Sequence, residues 1–455
     1  MTRHLVRLLA SHFALLALPT LLAAVDFGTT SPAPRPHAVV LLIGDGFGIS
    51  QLTLARRAMA GPHGRLALER LPVVGLVTTA SDSNAVTDSG AAATAFAGGV
   101  KTDNRVIGLD PHGEPVESIG TSAQRHGWRV GYVTTTRVTH ATPAAFYAHV
   151  ADRYADEGKI ARQLLAQRPD VVLGGGLTFF VPASQGGESL DDFDLLADAR
   201  AAGFTVLRRG DALVAPTSGP LLGLFANSHL AYALDEGAFP PERRDPSLAA
   251  LTQLALAALS ADGSSFFLMV EGGRIDHAGH DFDAAGVVAE TRTFDAAVAE
   301  VLAFQRRHPD TVVVLTADHA TGGLAINDFS KWPALTRQSA SVAWMTSQVR
   351  NAGAGADLLA RHTGFDDFTA QEIELIRAPA ASAYEANRRL GAMLAARHGF
   401  TFVPRVDLDD TQGHTGEDVA IFAGGPGAES FGGMLDNTDI PRRIAALLGW
   451  SLDGR

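Results

Sequence analysis

The sequence predicts an α/β fold: a three-layer α/β/α sandwich with a large, mostly parallel central sheet and a helical insertion before the last core segment. Three observations predict it. Short apolar runs rich in Val and Leu recur along the chain, each ending in glycine or a polar residue. Stretches of helical periodicity lie between them. Three of the runs deliver a carboxylate at the same, carboxyl end: Asp45, Glu271 and Asp318, the last beside His319. Uninterrupted apolar runs belong to strands buried on both faces, as in parallel sheets covered by helices. In such sheets ligands bind beyond the carboxyl ends of the strands.

The elements follow in order. Arg3 and Arg7 precede the apolar run LLASHFALLALPTLLAA, which is interrupted by Ser11 and His12 and closes on the small residues Ala23 and Ala24. The run is short for a membrane span. Residues 1–24 are therefore expected to be a signal for export to the periplasm or outside the cell, with an uncleaved anchor as the alternative. After cleavage no stable membrane span is expected. A Pro-rich linker (residues 25–36, containing TTSPAPRP) follows, and then a core of residues 37–450. The expected strands are AVVLLIG (38–44), RVGYVTT (129–135), DVVLGGG (170–176), FFLMVEG (266–272), TVVVLTAD (311–318) and DVAIFAGG (418–425). Helical periodicity marks 49–60 and 283–307. Residues 325–410 carry mostly helical signals and form the expected insertion.

Composition bounds the function. Asp plus Glu number 49 against 37 Lys plus Arg, a formal net charge of -12. That excludes a general nucleic-acid binder, which needs a positive surface to displace counterions. The chain has no Cys. Disulfides and thiolate ligands are excluded, so any transition metal must be held by His, Asp and Glu.

Four stretches could carry chemistry. In EGGRIDHAGH (271–280), Asp276 and His280 would share one helix face at i, i+4, a spacing that can chelate one ion. His277 would point elsewhere, and Glu271 could reach a different ion; capping carboxylates at a polar helix start are the simpler alternative. In VTDSGAAATAFAGGVKT (86–102), Ser89 begins a run of tiny residues. It would sit where a helix N-terminus favours an anion, either as a cap or as a nucleophile. In HATPAAFYAHVADR (140–153), Arg153 could clamp phosphate oxygens in bidentate fashion or pair with Asp152 or Asp156 at the surface. In GHTGEDVAIFAGG (413–425), His414 precedes a strand and means little alone. Histidines outside these stretches, such as His229 and His362, are expected to be solvated or structurally satisfied.

Taken together, IGDGFG, TDSGAAATAFAGGVKT, HATPAAFYAHVADR, VEGGRIDHAGH, TADHATGG and GHTGEDVAIFAGG occur in the order found in alkaline phosphatases, and the chain resembles that family over residues 38–325 and 411–450. The resemblance implies hydrolysis of small-molecule phosphate monoesters at alkaline pH through a phosphoserine on Ser89, with two zinc ions and one magnesium. It implies that Asp276, His280 and His414 hold the first zinc and that Asp45, Asp318 and His319 hold the second. Asp45, Thr142 and Glu271 would hold the magnesium, and Arg153 would clamp the phosphate. Asp88, His140 and His277 would lie on the phosphate side or behind the ligands. The resemblance also implies a homodimer and a crown-like role for the insertion. Phosphodiesterases and sulfatases of related architecture are the rivals, but Ser89 lacks the C/S-x-P-x-R context of sulfatases and the full third set favours monoesters. A binding protein without turnover would need no nucleophile.

Overall fold

A computed structural model describes residues 35–188, 193–330, 332–403, 411 and 413–452. The expected export signal and nearly all of the linker lie outside the described residues. The main strands are β1 (Ala38–Gly44), β2 (Val73–Thr78), β3 (Arg129–Arg137), β4 (Val171–Gly175), β5 (Thr205–Arg208), β6 (Leu221–Leu224), β7 (Phe266–Gly272) and β8 (Thr311–Ala317). Short strands β9 (Ala320–Thr321), β10 (Ala325–Ile326), β11 (Phe400–Thr401) and β12 (His414–Thr415) follow, then β13 (Val419–Gly424) and β14 (Gly433–Asp436). Ten of these form one sheet in the order β14-β2-β13-β8-β1-β7-β3-β4-β6-β5. Only β13 runs antiparallel to its neighbours.

Every residue of β1, β7 and β8 is buried, which is why these runs are apolar without alternation. Successive residues of β3 show that both faces are covered. Gly131 meets Leu259 of the helix Leu248–Ser260, while Tyr132 turns the other way and donates its hydroxyl to the Phe146 carbonyl. The long helix Ala284–Arg307 packs beside Leu248–Ser260, and its first turn is capped by Asp283, which accepts the Gly286 N–H. Strands β2, β5, β6 and β14 are not marked by the sequence. Val74 and Leu76 of β2 and Met434 of β14 face outward, β5 is half exposed, and β6 is four residues long, so none reads as a long buried run.

The region expected to be an insertion contains the helices Val342–Asn351, Ala356–Thr363, Ala370–Arg377 and Ala383–His398. They enclose their own small core of Val342, Met345, Leu359, Ile376 and Leu390. Buried polar bonds fasten this layer to the sheet side. Asp235 accepts both the N–H and the hydroxyl of Ser341, and Asp283 accepts the Val342 N–H. Asn387 donates to Asp281, and the Arg388 guanidinium donates to the His280 carbonyl. The last two bonds set Ala383–His398 directly against the stretch that carries Asp276 and His280. No helix among the described residues is long and apolar enough to cross a membrane.

Candidate metal centre and active site

The central strands place the acidic residues. β1 pairs with β7 and β8 in parallel, with Gly44 level with Gly272 and with Ala317. Asp45 and Asp318 therefore emerge at one height on the carboxyl edge, and Glu271, paired with Ile43, lies two residues below them; each is 0% exposed. The helix Arg274–His280 begins just after β7, so Asp276 and His280 do share a face, with Oδ2 and Nε2 3.2 Å apart. His414 arrives from far along the chain because β12 pairs antiparallel with β9, setting His414 against Thr321. Its ring stacks on His319 at 3.6 Å.

Three groups of buried side chains result, the ligand atoms of each within 4.8 Å of one another: Asp276, His280 and His414; Asp45, Asp318 and His319; and Asp45, His140 and Glu271. His277 lies outside all three and instead contacts the Arg274 guanidinium, Nδ1 to Nη1 2.9 Å. His140, expected behind the ligands, has a nitrogen inside the third group. Thr142 lies in the short helix Ala141–Ala144 that follows His140, and its buried Oγ1 has no hydrogen-bond partner.

The unsatisfied atoms make the case for cations. Both Asp45 oxygens, Asp318 Oδ2, Glu271 Oε1, His140 Nδ1 and His280 Nδ1 are buried without a hydrogen-bond partner. Buried polar groups normally find partners, and a buried carboxylate without one is costly. Burial, reinforced by Asp318, Asp276 and Glu271 nearby, pushes the Asp45 carboxyl well above its usual range. Burial likewise pushes Glu271 and Asp318 up to about 7, against the pull of the Thr134 hydroxyl and the Gly46 N–H respectively. Burial holds His319 down to about 4 and His140 and His414 well below their ordinary value, so the imidazoles are neutral and cannot supply the missing positive charge. For Asp276, burial is outweighed by the adjoining His280, which holds its carboxyl low. Neutral imidazoles and converging carboxylates form a donor set that fits divalent metals.

The imidazoles are oriented from behind. His414 Nδ1 lies 3.0 Å from the Thr87 carbonyl and His319 Nδ1 lies 3.2 Å from Thr321 Oγ1. Each Nδ1–H can donate there, which leaves the Nε2 lone pair facing the group. Thr321 Oγ1 also donates to Asp276 Oδ1 at 2.6 Å. Glu271 Oε2 accepts from the hydroxyls of Thr134 and Thr136.

Ser89 is the first residue of the helix Ser89–Gly98, whose cap is Asp88 rather than Ser89: Asp88 Oδ1 accepts the Ala91 N–H at 2.9 Å. The Ser89 hydroxyl is thus released from capping and lies 3.4 Å from His319 Nε2. Asp88 Oδ2 accepts from Arg153 Nη1 at 3.1 Å, and Arg153 Nη2 reaches His140 Nε2 at 2.9 Å. Arg153 is 7% exposed, so the surface pairing with Asp152 or Asp156 is not what it does. Asp152 pairs instead with Arg105. Ser89 and Arg153 line one cavity of about 210 Å³ together with His277, His280, Tyr384 and His414.

Several residues here gave no warning in the sequence. Tyr384 comes from the insertion, its ring 5.0 Å from that of His280. His229 is structurally satisfied, as expected, by Arg137, yet it also lines the cavity, its ring 4.4 Å from that of His277. Thr321 had a signal: it lies two residues beyond His319 in TADHATGG.

What this cavity can accept is set by charge and size: a small group with several anionic oxygens, answering a buried guanidinium, a helix N-terminus and metal ions at once. That chemistry belongs to metal-dependent hydrolases of anionic esters. Comparison with known proteins narrows the class. The family model for alkaline phosphatase matches residues 37–450, and the chain belongs to that family. It is 34% identical over 430 residues to alkaline phosphatase 4 of Bacillus subtilis, covering 90% of this chain and 88% of that protein. The alkaline phosphatase of Thermus thermophilus is similar in structure, with a TM-score of 0.82, 30% identity and 96% of each chain covered. A histidine-to-aspartate variant of the alkaline phosphatase from the Antarctic bacterium TAB5, with magnesium in its M3 site, has a TM-score of 0.68 and 29% identity over 92% of this chain and 99% of that one. The chain is an enzyme that hydrolyses phosphate monoesters and uses divalent metals.

Proposed function

We propose that hydrolysis proceeds through a phosphoserine on Ser89, with zinc held by Asp276, His280 and His414 and by Asp45, Asp318 and His319, and magnesium held by Asp45, Thr142 and Glu271. The observation that carries this reading is the Ser89 hydroxyl, freed from capping by Asp88 and set 3.4 Å from His319 in the second group. The oxygen donors of Asp45, Thr142 and Glu271 suit magnesium, and a histidine-to-aspartate variant of the TAB5 relative carries magnesium in its M3 site. When bound, the metals would supply Lewis acidity to the attacking and departing oxygens of an in-line displacement.

The chain's own residues account for the rest. Ser89 Oγ forms the bond to phosphorus as the alcohol departs, and water then releases phosphate from Ser89. Arg153, held by Asp88 and His140, presents its guanidinium to the nonbridging oxygens, which gather negative charge. The start of the helix Ser89–Gly98 offers backbone N–H groups to the same oxygens. Tyr384, from the insertion, lines the same cavity. The reading also includes export to the periplasm or beyond by way of residues 1–24, and a homodimer, which light scattering on the purified protein would test.

The deciding experiment compares p-nitrophenyl phosphate with its bis-ester at alkaline pH, with and without EDTA, in wild type and Ser89→Ala, while metal content is followed. Monoester cleavage that EDTA abolishes and Ser89→Ala loses at full metal content is expected. Preference for the bis-ester would move the enzyme to the diesterases, and normal turnover by Ser89→Ala would remove Ser89 as nucleophile.

A further inference from the structure

A second cavity of about 610 Å³ adjoins the first, with His229 lining both. It lies beyond the carboxyl ends of β5 and β6, on the edge of the sheet that carries the catalytic residues. Arg208 closes β5, Leu224 closes β6, and Phe225 and Ala226 follow in the wall. Three guanidinium groups line it: Arg208, Arg209 and Arg243. Arg208 and Arg209 are adjacent at the end of β5, whereas Arg243 comes from the separate segment Pro241–Arg243, so no local spacing explains why it meets them.

One carboxylate, Asp245, answers them. It is already engaged, taking Arg209 Nη2 at 2.6 Å and the Ala231 N–H at 2.8 Å, with a side chain only 4% exposed. Among the described residues neither Arg208 nor Arg243 has an acidic partner for its guanidinium. In a chain of formal net charge -12, two unmatched cations on one cavity wall run against the overall balance. Like charges facing one cavity repel, and an anion between them reverses the sign of that interaction.

We propose that this cavity is a subsite for a second anionic group, so that the preferred substrates are small molecules bearing two or more phosphates. One phosphate would sit at Ser89 and another between Arg208 and Arg243. This rests on the phosphomonoesterase reading above and adds a substrate class to it. The wall is guanidinium-rich rather than lysine-rich, which suits planar, bidentate recognition of phosphate.

The test uses alkanediol bisphosphates from ethanediol to octanediol and their matched monophosphates, assayed by phosphate release from the metal-loaded enzyme. For at least one length, the wild-type KM of the bisphosphate should lie about tenfold below that of its monophosphate, beyond the advantage of carrying two ester groups. Arg208→Ala combined with Arg243→Ala should erase that difference while leaving kcat and KM for every monophosphate unchanged. Both side chains are exposed, so the monophosphate values also report that the fold is intact. The subsite is refuted, with the phosphatase reading untouched, if no length shows the preference or if the double variant alters mono- and bisphosphates alike. Failure of the wild type to hydrolyse any monophosphate would overturn both.

Discussion

Replacing Thr321 with Val should weaken two metal sites at once. A hydroxyl has one proton to give. Thr321 Oγ1 lies 2.6 Å from Asp276 Oδ1, which can only accept when ionised, so the proton goes there. The 3.2 Å contact with His319 Nδ1 must then be a bond that Thr321 accepts. The proton on His319 is thereby held on Nδ1, and its Nε2 is free to face Asp45, Asp318 and Ser89. One side chain orients a ligand of each proposed zinc. Val keeps the shape and loses both bonds. A hydrogen bond to a charged group contributes roughly 1.5–3 kcal/mol, and a buried N–H left unpaired costs about 1–3 kcal/mol. Residues behind metal ligands typically carry about 10- to 100-fold in affinity. Competition with a fluorescent zinc chelator should therefore show both zinc dissociation constants raised by about that factor, with circular dichroism unchanged, and Thr321→Ser should restore them. Weakening of one site only would refute the shared-hydroxyl argument, and unchanged affinities would show that neither bond orients a ligand.

Other perturbations test other parts. Arg153→Lys keeps the charge but not the fork, so inhibition by inorganic phosphate should weaken by about tenfold or more; an unchanged inhibition constant would remove Arg153 from the phosphate site. Gly46 has φ +70°, and a Cβ there would lie 2.6 Å from the Asp276 Cα and 2.8 Å from Thr321 Oγ1. Gly46→Ala should thus lower zinc content and turnover together, and full zinc occupancy with normal turnover would contradict the packing described. Glu290, buried beside the Ala233 N–H, is raised by burial to about 7. A carboxyl with a raised folded value binds more protons folded than unfolded, so its contribution falls as pH climbs from about 4.5 through about 7. Glu290→Gln should be more stable than wild type at pH 9 by about 3 kcal/mol, and little different near pH 4. Parallel pH profiles in urea denaturation would refute this.

The legibility of this chain follows burial. β1 and β7 are found where the apolar runs place them, because a strand covered on both faces is apolar along nearly its whole length, with Glu271 of β7 the functional exception at the carboxyl end. The helix Ile49–Ala60 also lies where helical periodicity marks it, although only one side of it is buried. β2 and β14 escape because one face meets solvent, and the reversed direction of β13 escapes because apolar composition is the same either way along a strand. At the site, the i, i+4 relation of Asp276 and His280 is local and therefore readable, whereas the meeting of His414 with His280 depends on β12 pairing with β9, across more than ninety residues. The capping role of Asp88 could have been read from its place three residues before Ala91, and it reverses the simplest view of Ser89. Tyr384 could not have been read at all, since it reaches the cavity through bonds such as Asn387 to Asp281 that no spacing announces.

The register of β8, β1 and β7 has a consequence for how this protein can change. Asp45, Glu271 and Asp318 each sit at the end of a strand with a paired strand on either side, so moving one of them means moving the middle of the sheet. Arg208 and Arg243, by contrast, stand at the sheet's far edge and on an exposed turn, and Tyr384 stands in a layer with a core of its own. On the subsite proposed above, substitutions at Arg208 and Arg243 would redraw which esters enter while leaving the strand-end carboxylates in place.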